Sequence, residues 1–226
     1  MEKWRLSALP TEELIDILVS RMRPVQPLRS PALRVAAWVA ICALWVTLVV
    51  LAMGLRSDLH ARLDDGRWLI EQAAAAATAI AAAHAALGLG VPGRGRQWER
   101  VVPLALLAAW LGALGHGCFA VSHAQGPRGL VLQSDWRCLP GVAVVGLVPG
   151  FAIVRMISRG VPLAPVWTAA LGALASAAMG EVGLQFFHRV DSSLMVLIWQ
   201  GGAVLGVTLL GACFGSHRLR WRPEIP

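Results

Sequence analysis

Charge is scarce in this chain. Asp, Glu, Lys and Arg make up only 15% of its 226 residues, tyrosine is absent, and the mean hydropathy is +0.62. Together with uncharged apolar runs of about 20 residues, that composition excludes a water-soluble domain and belongs to a helical membrane protein. Cysteine is scarce as well. Cys42, Cys118, Cys138 and Cys213 form no CxxC pair and share no repeated spacing, which argues against a disulfide framework or a zinc ribbon. The first apolar run starts late, is long enough to span, and is not followed by a small-residue cleavage site, so it is expected to remain as an anchor and not to be removed as a signal peptide. Glycine clusters placed between a strand and a helix are missing, and no nucleophile comes with a base. The chain therefore reads as a non-enzyme with no cofactor. A pI near 10.8 raises the question of nucleic acid, but the basic residues are dispersed through loops with no aromatic-interleaved patch, so direct nucleic-acid binding is not expected.

What is present is one polar stretch followed by apolar ones. Residues 1–34 cannot belong in a membrane. Thr11 can cap a helix there, with Glu12 and Glu13 in the first turn where the dipole favours negative charge. Leu14, Ile15, Leu18, Val19 and Met22 fall on one arc at helical spacing, opposite Glu12, Asp16 and Ser20. Pro24 and Pro27 end the pattern. A helix of about a dozen residues is marginal alone in water, so its apolar face needs either a partner or a lipid surface to lie on, and periodicity does not choose between them.

The fold expected for the rest is all-α, six transmembrane helices in one bundle over residues 35–215, with a tail at 216–226. The expected spans are 35–55, 68–89, 101–121, 139–157, 162–187 and 194–214. The second is Ala-rich and contains Glu71, Gln72 and His84, so its insertion depends on neighbouring helices. Gly112, Gly115 and Gly117 in the third span would permit close backbone approach. In the sixth, Gly202 with Gly206 and Gly211 with Gly215 have GxxxG spacing suited to packing within the molecule. Cys42 and Cys213 read as small packing residues, and His84 and Gln200 as hydrogen-bonded between helices.

Orientation follows from the cationic residues. With both termini in the cytoplasm, only Arg56, Arg62, Arg67, Arg128, Arg137 and Arg189 fall on the outer side, and Lys3 and the remaining arginines lie inside. The outer face then collects Glu71, His116, Cys118, His123, Asp135, Cys138, Glu181, His188 and Asp191. Such a set could bind a soft or borderline metal or respond to oxidation, although polar residues gather at helix ends by default. A small transporter or metal-handling protein working through Glu71, Glu181 and the outer His and Cys residues is one reading, and a structural membrane partner using the GxxxG face is another. Oligomeric state is left open.

Several segments together resemble the NrsF-like negative regulators of sigma F. These are Glu13, Leu14, Ile15, Asp16 and Leu18, followed by Arg23-Pro24-Val25-Gln26-Pro27-Leu28 with Ser30 and Pro31; Asp135-Trp136-Arg137-Cys138; Arg159-Gly160-Val161-Pro162-Leu163-Ala164-Pro165; and Ile198-Trp199 with Leu219-Arg220-Trp221. The resemblance runs over nearly the whole chain. It implies an anti-sigma factor of the bacterial inner membrane that holds an extracytoplasmic-function-type sigma factor and releases it under heavy-metal or oxidative stress. It also implies that Leu14, Ile15, Leu18, Val19 and Met22 dock in a groove of the sigma factor, and that Cys138 receives the signal with Cys118 and His188 beside it. A second outer cysteine is part of the family pattern between spans five and six, where this chain reads His188-Arg189-Val190-Asp191.

Overall fold

The computed structural model describes residues 10–21, 27–93, 97–125, 138–188, 194 and 196–215. All of its regular structure is helical: α1 (Thr11–Arg21), α2 (Pro31–Met53), α3 (Leu59–Leu63), α4 (Gly66–Leu89), α5 (Trp98–Gln125), α6 (Cys138–Ile157), α7 (Pro165–Leu184) and α8 (Gly202–Leu210). Wider π-helical turns at Val196–Gly201 and Gly211–Gly215 flank α8 and extend it. Six helical stretches are long and apolar enough to cross a membrane, as expected: Pro31–Met53, Gly66–Leu89, Trp98–Ala120, Pro140–Ile157, Pro165–Leu184 and Leu197–Gly215.

The first of these begins before the expected Val35. Ser30 caps it, its hydroxyl accepting from the Leu33 N–H at 3.4 Å, and Pro31 takes the first helical position, where its missing N–H costs nothing. Arg34 is consequently inside the helix and buried. At the other end Gly54, with φ +83°, takes the left-handed conformation that stops α2, and its N–H reaches the Val50 carbonyl.

The two least apolar spans form the centre of the bundle. α4 and α7 have mean hydropathies of only 1.3 and 1.2 over their best windows, yet 56% and 72% of those windows are buried, against 22% for α2 at 2.5. The alanines of α4 from Ala75 to Ala86 and the Ala169–Ala178 stretch of α7 pack on each other with Trp38, Trp110 and Ile153 around them. Small side chains let the central helices approach, while Leu44, Leu51, Leu147, Phe151 and Leu209 on the outer helices point away from the core. The dependence of the Ala-rich span on its neighbours is thus met.

Backbones touch where α6 crosses α7. A Cβ on Gly180 would meet the Val142 carbonyl oxygen at 3.0 Å and the Gly146 nitrogen at 3.3 Å, and one on Gly146 would meet the Ser176 carbonyl oxygen at 3.3 Å. Close approach at Gly112 and Gly115 does not occur, because both face open space. The two GxxxG pairs also separate. Gly211 and Gly215 pack on Ala173 and Ala169 of α7, whereas Gly202 and Gly206 have nothing within 4 Å and are not used for packing within the chain.

Two buried arginines tie the ends of the bundle. On the α1 side Arg34 donates to the Leu87 carbonyl at 3.3 Å and to the Met156 carbonyl, binding α2 to the last turns of α4 and α6. Carbonyls there lack helical partners and carry the negative end of the helix dipole, so they satisfy a guanidinium without a carboxylate. The same end is closed by the Val161 N–H to the Gly90 carbonyl at 3.1 Å. At the opposite end Arg56 reaches the Gln185 and His188 carbonyls, both at 3.4 Å, and holds Asp58 in a two-pronged pair at 2.8 Å. That guanidinium keeps the Asp58 carboxyl well below the usual carboxylate range. Because the folded-state value is depressed, the stabilisation is present above the unfolded value of about 4 and is lost as pH falls below it. Asp58→Asn is expected to lower the melting temperature at pH 7, and the difference from the parent chain should shrink in scans taken toward pH 3.

Candidate functional site

Two places carry the residues singled out in the sequence, one at each end of the bundle. The first is α1. Glu12 and Glu13 form the acidic first turn as expected, but Thr11 is the first helical residue and not the cap, because the Leu14 N–H donates to the Pro10 carbonyl at 3.0 Å; Leu14 sits half-buried. Ile15, Leu18 and Val19 are 52%, 57% and 54% exposed, so the bundle does not cover this apolar face. Ile17, which the periodicity reading passed over, is also half-buried and extends the apolar arc past Leu14. Met22 lies outside the described residues.

The second place is the end of the bundle away from α1. Glu181 and Gln185 on and just after α7 meet Gln200 of the last span. The Gln185 amide donates at 3.0 Å to Glu181 Oε1 and at 3.0 Å to Gln200 Oε1, and all three side chains are buried. Gln200 is therefore hydrogen-bonded between helices, as expected. Glu181 Oε2 and the Trp199 indole N–H have no hydrogen-bond partner among the described residues. Glu71 of α4 is close enough for its charge to act on both Glu181 and Cys118, so three of the expected outer-face residues share one neighbourhood. Trp68 packs edge-on against Phe186, with ring centroids 6.4 Å apart, beside them.

The other candidates are less concentrated. Cys118 is half-buried on α5, and His188 is held by its backbone, its N–H donating to the Leu184 carbonyl at 2.9 Å and its carbonyl accepting from Arg56. His116 is exposed, and the ring of His123 stacks edge-on against Phe119 at 5.2 Å. Cys138 is the first residue of α6, but its side chain, like Asp135 and Asp191, lies outside the described residues. Among the described residues no three His, Cys, Asp or Glu side chains converge in a way suited to a metal ion. Cys42 is fully buried in the core, as expected of a small packing residue, whereas Cys213 is exposed. His84 makes no interhelical hydrogen bond among the described residues. It lines a largely apolar cavity with Trp98 and Glu99.

Comparison with known proteins adds the decisive observation. The family described as NrsF, negative regulator of sigma F, matches residues 18–221, nearly the whole chain. The chain belongs to the NrsF family. No curated protein and no solved structure matches it. The NrsF match takes in all six spans together with Cys118, Cys138, Glu181 and His188. It starts within α1 at Leu18, so Leu14 and Ile15 precede it. Negative regulation of a sigma factor is thereby the activity that the NrsF name attaches to this architecture, and a sigma factor is the partner that it implies.

Proposed function

We propose that this chain is a membrane-bound anti-sigma factor that sequesters an extracytoplasmic-function-type sigma factor through α1, with both termini in the cytoplasm of a bacterium and the bundle in its inner membrane. The observation that carries the proposal is the apolar face of α1, with Ile15, Leu18 and Val19 each more than half exposed beside a six-span bundle. Spacing of this kind serves helix-in-groove recognition, in which the apolar face fills a hydrophobic groove of the partner and blocks the surface that core polymerase would use. Co-purification of the full chain in detergent with the sigma factor encoded beside it is the test. A stable complex is expected, and two separate elution peaks at micromolar concentration would sink the proposal.

Signal enters, on this reading, at Cys138, Cys118 and His188, with heavy-metal or oxidative stress releasing the sigma factor. The shared neighbourhood of Cys118, Glu71 and Glu181 supports a linkage from that end into α7, because Gln185 joins Glu181 to the last span. Cys138→Ser is expected to reduce induction of a sigma-dependent reporter by cadmium or peroxide several-fold while leaving basal repression intact. An unchanged response removes Cys138 from the sensing role. A second reading, transport or metal handling, is favoured by one observation, the buried Glu181 Oε2, which has no partner among the described residues. Metal flux into proteoliposomes that is lost in Glu181→Gln would replace the sensing reading with that one.

A further inference from the structure

On the α1 side of the bundle, a cavity of about 840 Å³ opens between the start of α2 and the end of α6. Arg29, Arg34 and Arg159 line it, over a floor that includes Leu33, Ala37 and Met156. We propose that this cavity binds a phosphate-bearing anion, with the headgroup of an anionic lipid as its source.

Charge is the first argument. Three arginines line one cavity, and among the described residues no acidic side chain lines it. Arg34 is only 8% exposed and lies close enough to Arg159 to feel its charge, so solvent cannot fully screen the two cations from each other. Among the described residues neither Arg29 nor Arg159 has an ion-pair partner, and Glu99, an acid at the same end, lines a different cavity. The Leu87 and Met156 carbonyls satisfy the hydrogen-bonding needs of Arg34, but they supply only partial charge. The start of α2 adds positive dipole of the same sign. A bound anion offsets what the chain leaves unbalanced.

Position and geometry narrow the ligand. The cavity sits where the α2 span begins at Pro31 and the α6 span ends at Ile157, the depth at which headgroups meet helix ends. Guanidinium forks pair with the oxygens of a phosphate and repel a quaternary ammonium, so an anionic headgroup suits the cavity better than the zwitterionic choline one. The apolar floor then offers a path for the first acyl carbons beside Leu33 and Ala37. Pro27 and Leu28 border the same cavity, so an occupied site would also fix where the segment leading back to α1 leaves the bundle.

The test uses the full chain in detergent, with lipid added from vesicles of phosphatidylglycerol or of phosphatidylcholine and bound lipid counted by native mass spectrometry. Arg34 is left intact because it also ties three helices. The R29Q/R159Q variant is used in its place, with an unchanged thermal melt as the check on folding. Phosphatidylglycerol is expected to be retained over phosphatidylcholine and to be lost about 25-fold in the variant, roughly fivefold for each arginine. Inorganic phosphate at millimolar concentration should not displace the lipid. If phosphate does displace it, the anion site stands and its source is a soluble phosphate. Equal retention of the two lipids, or equal retention of phosphatidylglycerol by parent and variant, overturns the proposal.

Discussion

Ile15→Asp is expected to weaken binding of the sigma factor by about 100-fold, the effect of placing a charge at the centre of an apolar contact whose hot-spot residues are each worth about 2 to 4 kcal/mol. The substitution should leave the bundle unharmed, because Ile15 is 52% exposed in the chain alone and supports none of its core. Two readouts therefore separate loss of contact from loss of fold. Fluorescence titration of the detergent-solubilised chain with purified sigma factor should show the affinity loss, and the melting temperature should stay within a degree of the parent. Leu18→Asp is expected to behave alike, since Leu18 lies one helical turn further on the same arc. Asp16→Asn on the opposite side should change affinity less than threefold. Full affinity in Ile15→Asp would remove α1 as the contact face, and equal losses in Ile15→Asp and Asp16→Asn would mean that charge, not the apolar arc, makes the contact.

Gly180→Val is expected to disrupt the bundle outright. A Cβ at that position meets main-chain atoms of Val142 and Gly146, and no rotamer change can move them aside. Overpacking against flexible side chains costs about 1 to 3 kcal/mol, so a clash between two helix backbones belongs at or beyond the top of that range. α7 is the most deeply buried span, and a shift of α7 away from α6 would also pull on Gly211, which packs on Ala173 from the other side. The measurable result is loss of the monodisperse peak in size-exclusion chromatography, or a fall of many degrees in melting temperature. Gly206→Val is the matched control. Nothing lies within 4 Å of that position, so the same chemical change should be tolerated. If both variants behave alike, the α6–α7 crossing is not the tight point described above.

Membrane spans were legible because hydropathy is a local property. α2 carries no charge between Val35 and Met53, and its length alone marks it. The need of α4 for neighbours was legible for the same reason, since alanine with Glu71 and Gln72 inserts weakly by itself. Cys42 and Gln200 followed from residue type. Arg34 did not: counted as a loop cation, it is a buried tie whose bond to Met156 spans 122 positions in the chain. The GxxxG pairs of the last span are indistinguishable by spacing, yet one is pressed on α7 and the other is open.

The candidate site divides along the same line. The apolar arc of α1 could be drawn from periodicity, and its exposure is what the bundle leaves uncovered. That Gln185 would join Glu181 to Gln200, or that Glu71 and Cys118 would stand near them, carried no sequence signal, since these residues sit on four different helices. What the chain determined by itself is six apolar helices with an amphipathic one before them, because segment hydrophobicity and helical period depend only on neighbours along the chain. Only the tertiary structure decided that the least apolar helices lie at the centre, which glycines touch, and that Arg29, Arg34 and Arg159 converge on one cavity. Those outcomes depend on which small faces let two backbones meet, and that is settled by packing in three dimensions.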